Sequence, residues 1–284
     1  MKYVRALFFI LSIAALQAQS IPLNSTPNHV IGQDTIALNN LNPNLVEGKE
    51  FYRPQGLALD TTTNPPGLYV ADTLNNRVLG FRNAAQFSNG APADIVIGQP
   101  DFLTTTPEGP NRQGSNFQTG LSTPVGLAVD AHGNLYVVDA GNNRVLRFPT
   151  PFSKTTQLPD LVIGQPGFDT RGENTNGPSA ASLNFAIVSP TSPAGTAYAA
   201  GLTFDAAGNL WVADPLNNRV LRFPAAALGS NATNGPSADV VLGQSSFTAT
   251  AGGSTDPGNL SVLNVPSSVA VDSAGRLFVL ESNA

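Results

Sequence analysis

The sequence predicts an all-β fold built from a repeated unit of four short strands. The segment GLAVDAHGNLYVVDAGNNRVLRF at 126–148 returns in related form at 56–81 and 201–223, and a shorter copy follows at 268–284. Such self-similarity is the signature of a repeat architecture. Apart from the first residues, no segment shows the 3.6-residue apolar period of a helix. The 27 Gly and 23 Pro also favour turns over long helices.

Each copy contains four apolar segments, which we call a to d. They are five or six residues long, rich in Val, Leu, Ile and aromatic residues, and bounded by Gly, Asn, Asp or Pro, as short strands are. In the second copy they cover 126–130, 135–139, 144–148 and 160–165. The d segment recurs as DIVIGQ, DLVIGQ and DVVLGQ. This order predicts four consecutive strands per copy.

The links between these segments predict antiparallel neighbours. The a–b link contains Gly133, and glycine suits the positive φ that a tight turn requires. The b–c link ends in an Asn pair, here Asn142 and Asn143, and Asn tolerates the left-handed region. The d–a links are long and open with GQPDF, GQPGF or GQSSF. Loops of that length in a compact domain are usually functional or disordered.

Strands b and c carry apolar residues on both faces, which indicates a small sheet stacked between two others. Tyr69, Tyr136 and Trp211 occupy the same position of strand b, so we expect all three in the core. Four short antiparallel strands buried on both sides describe the blade of a β-propeller. A β-sandwich would place no four-segment period in the sequence.

Residues 56–81, 126–148 and 201–223 resemble NHL repeats. The resemblance rests on Gly-Leu-Ala-Val-Asp, Gly-Asn-Leu-Tyr-Val-Ala-Asp and Asn-Arg-Val-Leu-Arg-Phe, which recur in that order. WD repeats fit worse, because their period is about 40–45 residues. The resemblance implies a β-propeller of four-stranded antiparallel blades, most often six, in a TolB-like ring.

The start of the chain predicts export. Lys2 and Arg5 precede the apolar run ALFFILSIAA at 6–15, which is too short to span a bilayer. Residues 1–18 are therefore predicted to be a signal peptide, and the protein to be secreted or periplasmic. With 19 acidic residues against 14 basic ones, the chain has no electrostatic reason to bind nucleic acid. No other apolar run approaches the length of a membrane span, and there is no Cys for a disulfide or thiolate site.

The remaining residues, 19–284, are predicted to form an incomplete propeller. We expect about three and a half of six blades, and hence a truncated sequence. The expected parts are a closing strand at 29–33, blades at 56–99, 126–165 and 201–244, and a partial blade at 268–284.

An Asp, Asn and Arg set recurs around the b–c turn of each full copy. A residue present in every copy is expected to build the blade, so each Asp is predicted to accept backbone N–H groups of its own turn and to pair with the Arg. The alternative is a ring that binds a ligand or cation at one mouth of the channel. The set comprises Asp72, Asn76, Arg77, Asp139, Asn143, Arg144, Asp214, Asn218 and Arg219.

Two functions remain open from the sequence. The first is a non-catalytic scaffold that binds an unknown protein, peptide or glycan through the face carrying the b–c turns and the d–a loops. The second, implied by the resemblance, is an extracytoplasmic metal-dependent lyase or lactonase with its site in the central channel. The first is favoured because the two histidines, His29 and His132, are far apart and no nucleophile motif is present. No catalytic residue, cofactor or metal ligand is predicted, although a divalent cation in the channel stays open.

Overall fold

The computed structural model describes residues 29–38, 46–109, 120–187, 196–197, 199–252 and 261–282. The predicted signal peptide, residues 1–18, lies outside the described residues, so export stays a prediction. The described residues contain sixteen strands and five short 3-10 helices. The chain is an all-β protein, as predicted.

Three sheets have four antiparallel strands each, in the orders β1-β2-β3-β4, β5-β6-β7-β8 and β11-β12-β13-β14. We call them blades 1, 2 and 3. Two further sheets, β9 with β10 and β15 with β16, have two strands each. In chain order the strands are β1 Leu57–Asp60, β2 Gly67–Asp72, β3 Arg77–Phe81, β4 Ile95–Ile97, β5 Pro124–Val129, β6 Leu135–Asp139, β7 Arg144–Phe148, β8 Leu161–Ile163, β9 Ala186–Ile187, β10 Thr196–Ala197, β11 Leu202–Phe204, β12 Leu210–Asp214, β13 Arg219–Phe223, β14 Val240–Leu242, β15 Pro266–Val271 and β16 Leu277–Glu281.

The turns follow the sequence signals. Gly133 in the a–b turn of blade 2 has φ +79°. Asn143, the second Asn of the b–c turn, is left-handed with φ 52° and ends a one-turn 3-10 helix. The three b–c helices are Thr73–Asn75, Ala140–Asn142 and Pro215–Asn217, and the two c–d helices are Pro151–Ser153 and Ala225–Ala227. The sheet β9–β10, in the d–a loop between blades 2 and 3, has no counterpart in the prediction.

The core lies between the blades. Every residue of β6 and β7 is buried, which confirms that these strands are covered on both faces. Tyr69 and Tyr136 are fully buried. Trp211 packs against the core cluster of Ala213, Val220 and Val269, as expected, but it is only partly buried. The next sheet has only two described strands, β15 and β16, to cover it.

The a strands β1, β5, β11 and β15 are the inner strands of their sheets. They approach each other closely, and glycine makes this possible. A Cβ on Gly126 would lie 2.3 Å from the carbonyl oxygen of Ala200, at the start of the next inner strand. A Cβ on Gly56 would lie at the same 2.3 Å from the carbonyl oxygen of Val125. These two glycines therefore bring the inner strands of consecutive blades into backbone contact.

The predicted closing strand at 29–33 forms bends, and no described strand pairs with it. It nevertheless resembles a d segment, because HVIGQ at 29–33 matches LVIGQ at 161–165. Gly32 has φ +89° and Gly164 has φ +88°. The segment has the local form of a d strand without a described sheet, and its closing role stays a prediction.

Candidate functional site

A buried ion pair joins strands b and c at one end of each blade. In blade 2, Arg144 Nε donates to Asp139 Oδ2 at 2.8 Å, and neither side chain is exposed. The two residues face each other in the β6–β7 register. Blades 1 and 3 repeat this arrangement at 2.7 Å, with Asp72 on Arg77 and Asp214 on Arg219. The pairing predicted from the sequence is therefore present in all three blades.

The carboxylate binds a different backbone segment from the one expected. Asp139 Oδ1 accepts a hydrogen bond at 2.7 Å from the backbone N–H of Ser122, in the loop that enters strand a. Its Oδ2 accepts the side-chain amide of Asn142 at 2.8 Å. The prediction that the backbone of the b–c turn donates to this carboxylate was wrong, because the incoming loop crosses the end of strand b and donates its own N–H instead. The equivalent backbone donors are Tyr52 for Asp72 at 2.6 Å and Asn184 for Asp214 at 2.8 Å.

The guanidinium holds the two long loops that flank its blade. Arg144 Nη1 donates to the carbonyl of Phe168, in the outgoing loop, at 3.0 Å. Its Nη2 donates to the carbonyl of Gly120, in the incoming loop, also at 3.0 Å. The equivalent acceptors are Phe102 and Glu50 for Arg77, and Phe247 and Ser182 for Arg219. Each of these arginines thus fixes both d–a loops next to its blade.

The second Asn of each b–c turn joins its blade to the next. Asn143 Oδ1 accepts the backbone N–H groups of Phe185 and Ala186 at 2.7 and 2.9 Å. The equivalent bonds run from Thr123 to Asn76 at 2.8 Å and from Val265 to Asn218 at 2.9 Å. The b–c turns and the d–a loops therefore share one face of the blades, as predicted; we call it the loop face.

A glutamine that the sequence analysis did not select completes this arrangement. Gln165 Nε2 donates to the carbonyls of Asn143 at 2.9 Å and of Gly172 at 2.8 Å, so it ties the b–c turn to the outgoing loop. Gln99 and Gln244 make the same pair of bonds in blades 1 and 3. The available signal was the Gly-Gln pair that follows every d strand.

Burial dominates the electrostatics of these ion pairs. It raises the pKa of Asp139, while the Arg144 charge and the bonds from Ser122, Asn142 and Arg144 act in the opposite direction. The pKa of Asp72 and of Asp214 is raised for the same reason. Removing one partner of such a pair would leave the other charge buried without compensation.

The nine residues considered for a ligand ring do not line an open surface. The structure brings each Asp, Asn and Arg set together within its own blade, and all nine are buried except Asn218, which is partly buried. Their hydrogen bonds go to loops and neighbouring strands. In this arrangement the set lies beneath the loop face and holds its turns and loops by hydrogen bonds.

The central cavity is formed by the inner strands and measures about 400 Å³. Its lining is mostly glycine and apolar side chains, with Gln55, Ser267 and Ser268 as polar members. No His, Asp or Glu belongs to this lining. The described channel wall therefore offers no imidazole or carboxylate to a metal ion or a reacting group.

The two histidines lie apart, as expected. His132 is exposed in an a–b turn, on the face opposite the loop face, and lines a cleft of about 460 Å³ between blades 2 and 3. His29 lies beside Phe87, with ring centroids 5.8 Å apart. Across the described ranges, no cluster of three or more His, Cys, Asp or Glu residues could hold a metal ion. None of the helices described is long and apolar enough to cross a membrane.

The family comparison agrees with this geometry. Residues 121–148, which span the incoming loop, strands a to c and the Asp139–Arg144 pair of blade 2, match the NHL repeat. The chain carries an NHL repeat. Blades 1 and 3 have the same strand order and the same ion pair as this NHL repeat. Each of the three four-stranded sheets is thus a propeller blade, as predicted. No curated protein matches the chain.

Several solved structures are similar at low identity. A streptogramin B lyase has 10% identity and a TM-score of 0.42, over 86% of this chain and 51% of that one. A protein of unknown function from Bacteroides thetaiotaomicron has 16% identity and a TM-score of 0.45, over 80% and 44%. A catalytically inactive virginiamycin B lyase from Staphylococcus aureus, with quinupristin, has 12% identity and a TM-score of 0.40, over 84% and 50%. The chain spans about half the length of these structures.

Proposed function

We propose that this chain is an extracytoplasmic, non-catalytic propeller that binds a protein, peptide or glycan through its loop face. The observation that carries this proposal is the set of hydrogen bonds that the recurring arginine donates to the d–a loops. Arg144 is fully buried, and it donates to the carbonyls of Phe168 and Gly120 in two different d–a loops. A fixed loop loses less conformational entropy when it binds, so such anchoring favours recognition.

The loops also present side chains that a partner can contact. Leu103, next to the Arg77 acceptor Phe102, is 66% exposed. Asp101 fixes this loop, because its Oδ1 accepts the backbone N–H groups of Leu103 and Thr104 at 2.9 and 2.7 Å. An exposed leucine on a loop held by these hydrogen bonds is available for contact with a partner.

The lyase or lactonase alternative finds less support. Metal-assisted chemistry needs ligands that converge on an open position. The inner strands offer Gln55, Ser267 and Ser268 to the cavity, and His132 lies on the face opposite the loop face. The scaffold therefore fits the described residues better than an enzyme does.

The proposal is tested by binding the full chain to a glycan array and to a displayed peptide library. Binders are then measured again with Leu103→Glu, on the loop face, and with Ala207→Glu, in an exposed a–b turn on the other face. We expect Leu103→Glu to weaken binding by about tenfold or more, because it removes an apolar contact and adds a charge, and Ala207→Glu to leave it unchanged.

The enzyme alternative is tested in parallel. The chain is incubated with quinupristin and with simple lactones, with and without a divalent cation, and the products are followed by mass spectrometry. No turnover is expected. Cation-dependent turnover that Leu103→Glu leaves intact would overturn the scaffold proposal.

A further inference from the structure

The outer edge of one blade is covered by the next blade through an Asn-Gly pair. In blade 2, the backbone N–H of Val162 in strand β8 donates to Asn234 Oδ1 at 3.1 Å. The backbone N–H of Gly235 donates to the carbonyl of Val162 at 2.9 Å. Both partners belong to the c–d link of blade 3, so a bend in this link covers the edge of blade 2.

The d-like segment at 29–33 is held by the Asn half of the same arrangement. The backbone N–H of Val30, which corresponds to Val162, donates to Asn89 Oδ1 at 2.9 Å. The two covering segments also match in sequence, with SNGAPAD at 88–94 and TNGPSAD at 233–239. The Asn of an Asn-Gly pair therefore accepts the outer-edge N–H of a d segment twice, and in blade 2 the Gly adds a second bond.

Strand β4 of blade 1 has the same edge but no such cover. Val96 pairs with Leu79 in the register in which Val162 pairs with Leu146, so its N–H and C=O also point away from the blade. The facing c–d link, residues 149–160, contains no Asn. Among the described hydrogen bonds outside the strand ladders, none involves Val96. The backbone edge of β4 is thus left without the partner that β8 has.

A groove lies where that partner would be. It measures about 460 Å³ and separates β4 from residues 154–158 of the blade 2 link. Val96 and Ile95 form one wall, Leu158 and Lys154 the other, and Phe102 and Gln99 are also part of the lining. An open strand edge beside a groove lined by both polar and apolar side chains is a geometry to which a peptide backbone can bind.

We propose that this groove binds a peptide segment that carries Asn-Gly, in the manner in which residues 233–239 bind blade 2. The Asn supplies a side-chain oxygen to the Val96 N–H, and the Gly supplies a backbone N–H to the Val96 carbonyl. Glycine is required for two reasons. Gly235 has φ +68°, and a Cβ there would lie 3.1 Å from the carbonyl oxygen of Gln165, which corresponds to Gln99 in blade 1.

This site goes beyond the loop-face function proposed above. It lies on the outer edge of blade 1, and its recognition elements are the backbone of β4 and the groove wall. The occupant is a peptide, because the two internal examples are peptide segments and because the hydrogen-bonding pattern of a strand edge is matched by another backbone.

The test uses the acetylated and amidated heptapeptide Thr-Asn-Gly-Pro-Ser-Ala-Asp, the sequence of residues 233–239. It is titrated into the 15N-labelled full chain, and the assigned backbone amide signals are followed by NMR. We expect a saturable downfield shift of the Val96 amide. A peptide with Ala in place of Asn should bind about tenfold more weakly, because it lacks the acceptor for that N–H.

Two protein variants give a matched comparison. Val96→Pro removes the N–H donor of β4, and Val241→Pro removes the equivalent donor of β14. Val96→Pro should abolish the interaction and Val241→Pro should leave it unchanged. If Val96→Pro does not fold, the difference in affinity between the Asn peptide and the Ala peptide tests the proposal. No shift at Val96 in millimolar peptide, equal affinity of both peptides, or shifts at Val241 alone would overturn the proposal.

Discussion

Each blade carries two recurring aspartates, one at each end, and the two differ in burial and in the groups that they bind. In blade 2, Asp139 lies on the loop face and Asp130 in the a–b turn at the opposite end. Asp139 is fully buried and bonded to Arg144. Asp130 is only partly buried and serves its own turn: its Oδ1 accepts the backbone N–H groups of His132 and Asn134 at 2.8 and 3.0 Å.

The difference shows that recurrence alone does not tell how much a residue contributes. Both aspartates recur in every full copy, and both accept backbone hydrogen bonds. Asp139, however, connects segments distant in the chain and has been removed from water, so its loss leaves a buried cation. Asp130 stabilises a local turn whose N–H groups can turn to water instead.

The largest effect is expected for Asp139→Ala. The substitution leaves the Arg144 charge buried without a partner, so the free energy of unfolding should fall by about 3–5 kcal/mol in urea titrations. Asp72→Ala and Asp214→Ala should cost similar amounts, because their pairs have the same geometry. A loss below about 1 kcal/mol for all three would mean that water reaches these pairs.

The coupling between the partners sharpens the comparison. A double-mutant cycle with Asp139→Ala and Arg144→Ala should give an interaction energy of about 2–3 kcal/mol. The control is Arg222 with Asp239, a pair at 2.9 Å whose side chains are 31% and 41% exposed. That cycle should give less than about 1 kcal/mol. Equal values would show that burial is not the deciding factor.

Asp130→Ala is expected to have a smaller effect, a loss of about 1 kcal/mol. Three hydrogen bonds disappear, from the N–H groups of His132 and Asn134 and from Asn134 Nδ2. The freed groups are exposed or only partly buried, so they can bind water. Thermal unfolding followed by circular dichroism measures the change, and a loss as large as that of Asp139→Ala would contradict the proposed distinction.

The smallest effect concerns pH. Partial burial raises the pKa of Asp205, the equivalent of Asp130 in blade 3, but hydrogen bonds from Asn209, Trp211 and Ala207 lower it overall. A carboxyl with a lowered folded-state pKa stabilises above its unfolded pKa, near 3.9, and loses that contribution as the pH falls. The difference in Tm between wild type and Asp205→Asn should therefore shrink below about pH 4. Melting curves of wild type and Asp205→Asn between pH 7 and pH 3 test this sign, since a Tm difference that grows on acidification would refute it.

The sequence by itself determined the local structure of this protein. The order of four strands, the left-handed Asn143 and the positive φ of Gly133 all follow from repetition and from intrinsic conformational preferences. The Asp139–Arg144 pair was predictable as well, since a four-residue hairpin link places the two side chains opposite each other. These features depend on neighbours within one blade.

The tertiary structure decided what depends on where the long loops return. Arg144 reaches Gly120 and Phe168, each 24 residues away in the chain, and no periodicity predicts such partners. The same holds for Ser122 on Asp139 and for the partial exposure of Trp211. It also holds for the backbone edge of β4 at Val96. This edge is open because the c–d link of blade 2 lacks the Asn-Gly pair that the c–d link of blade 3 contains. Long-range contacts require the folded path of the chain, because the separation in sequence of two residues does not fix their separation in space.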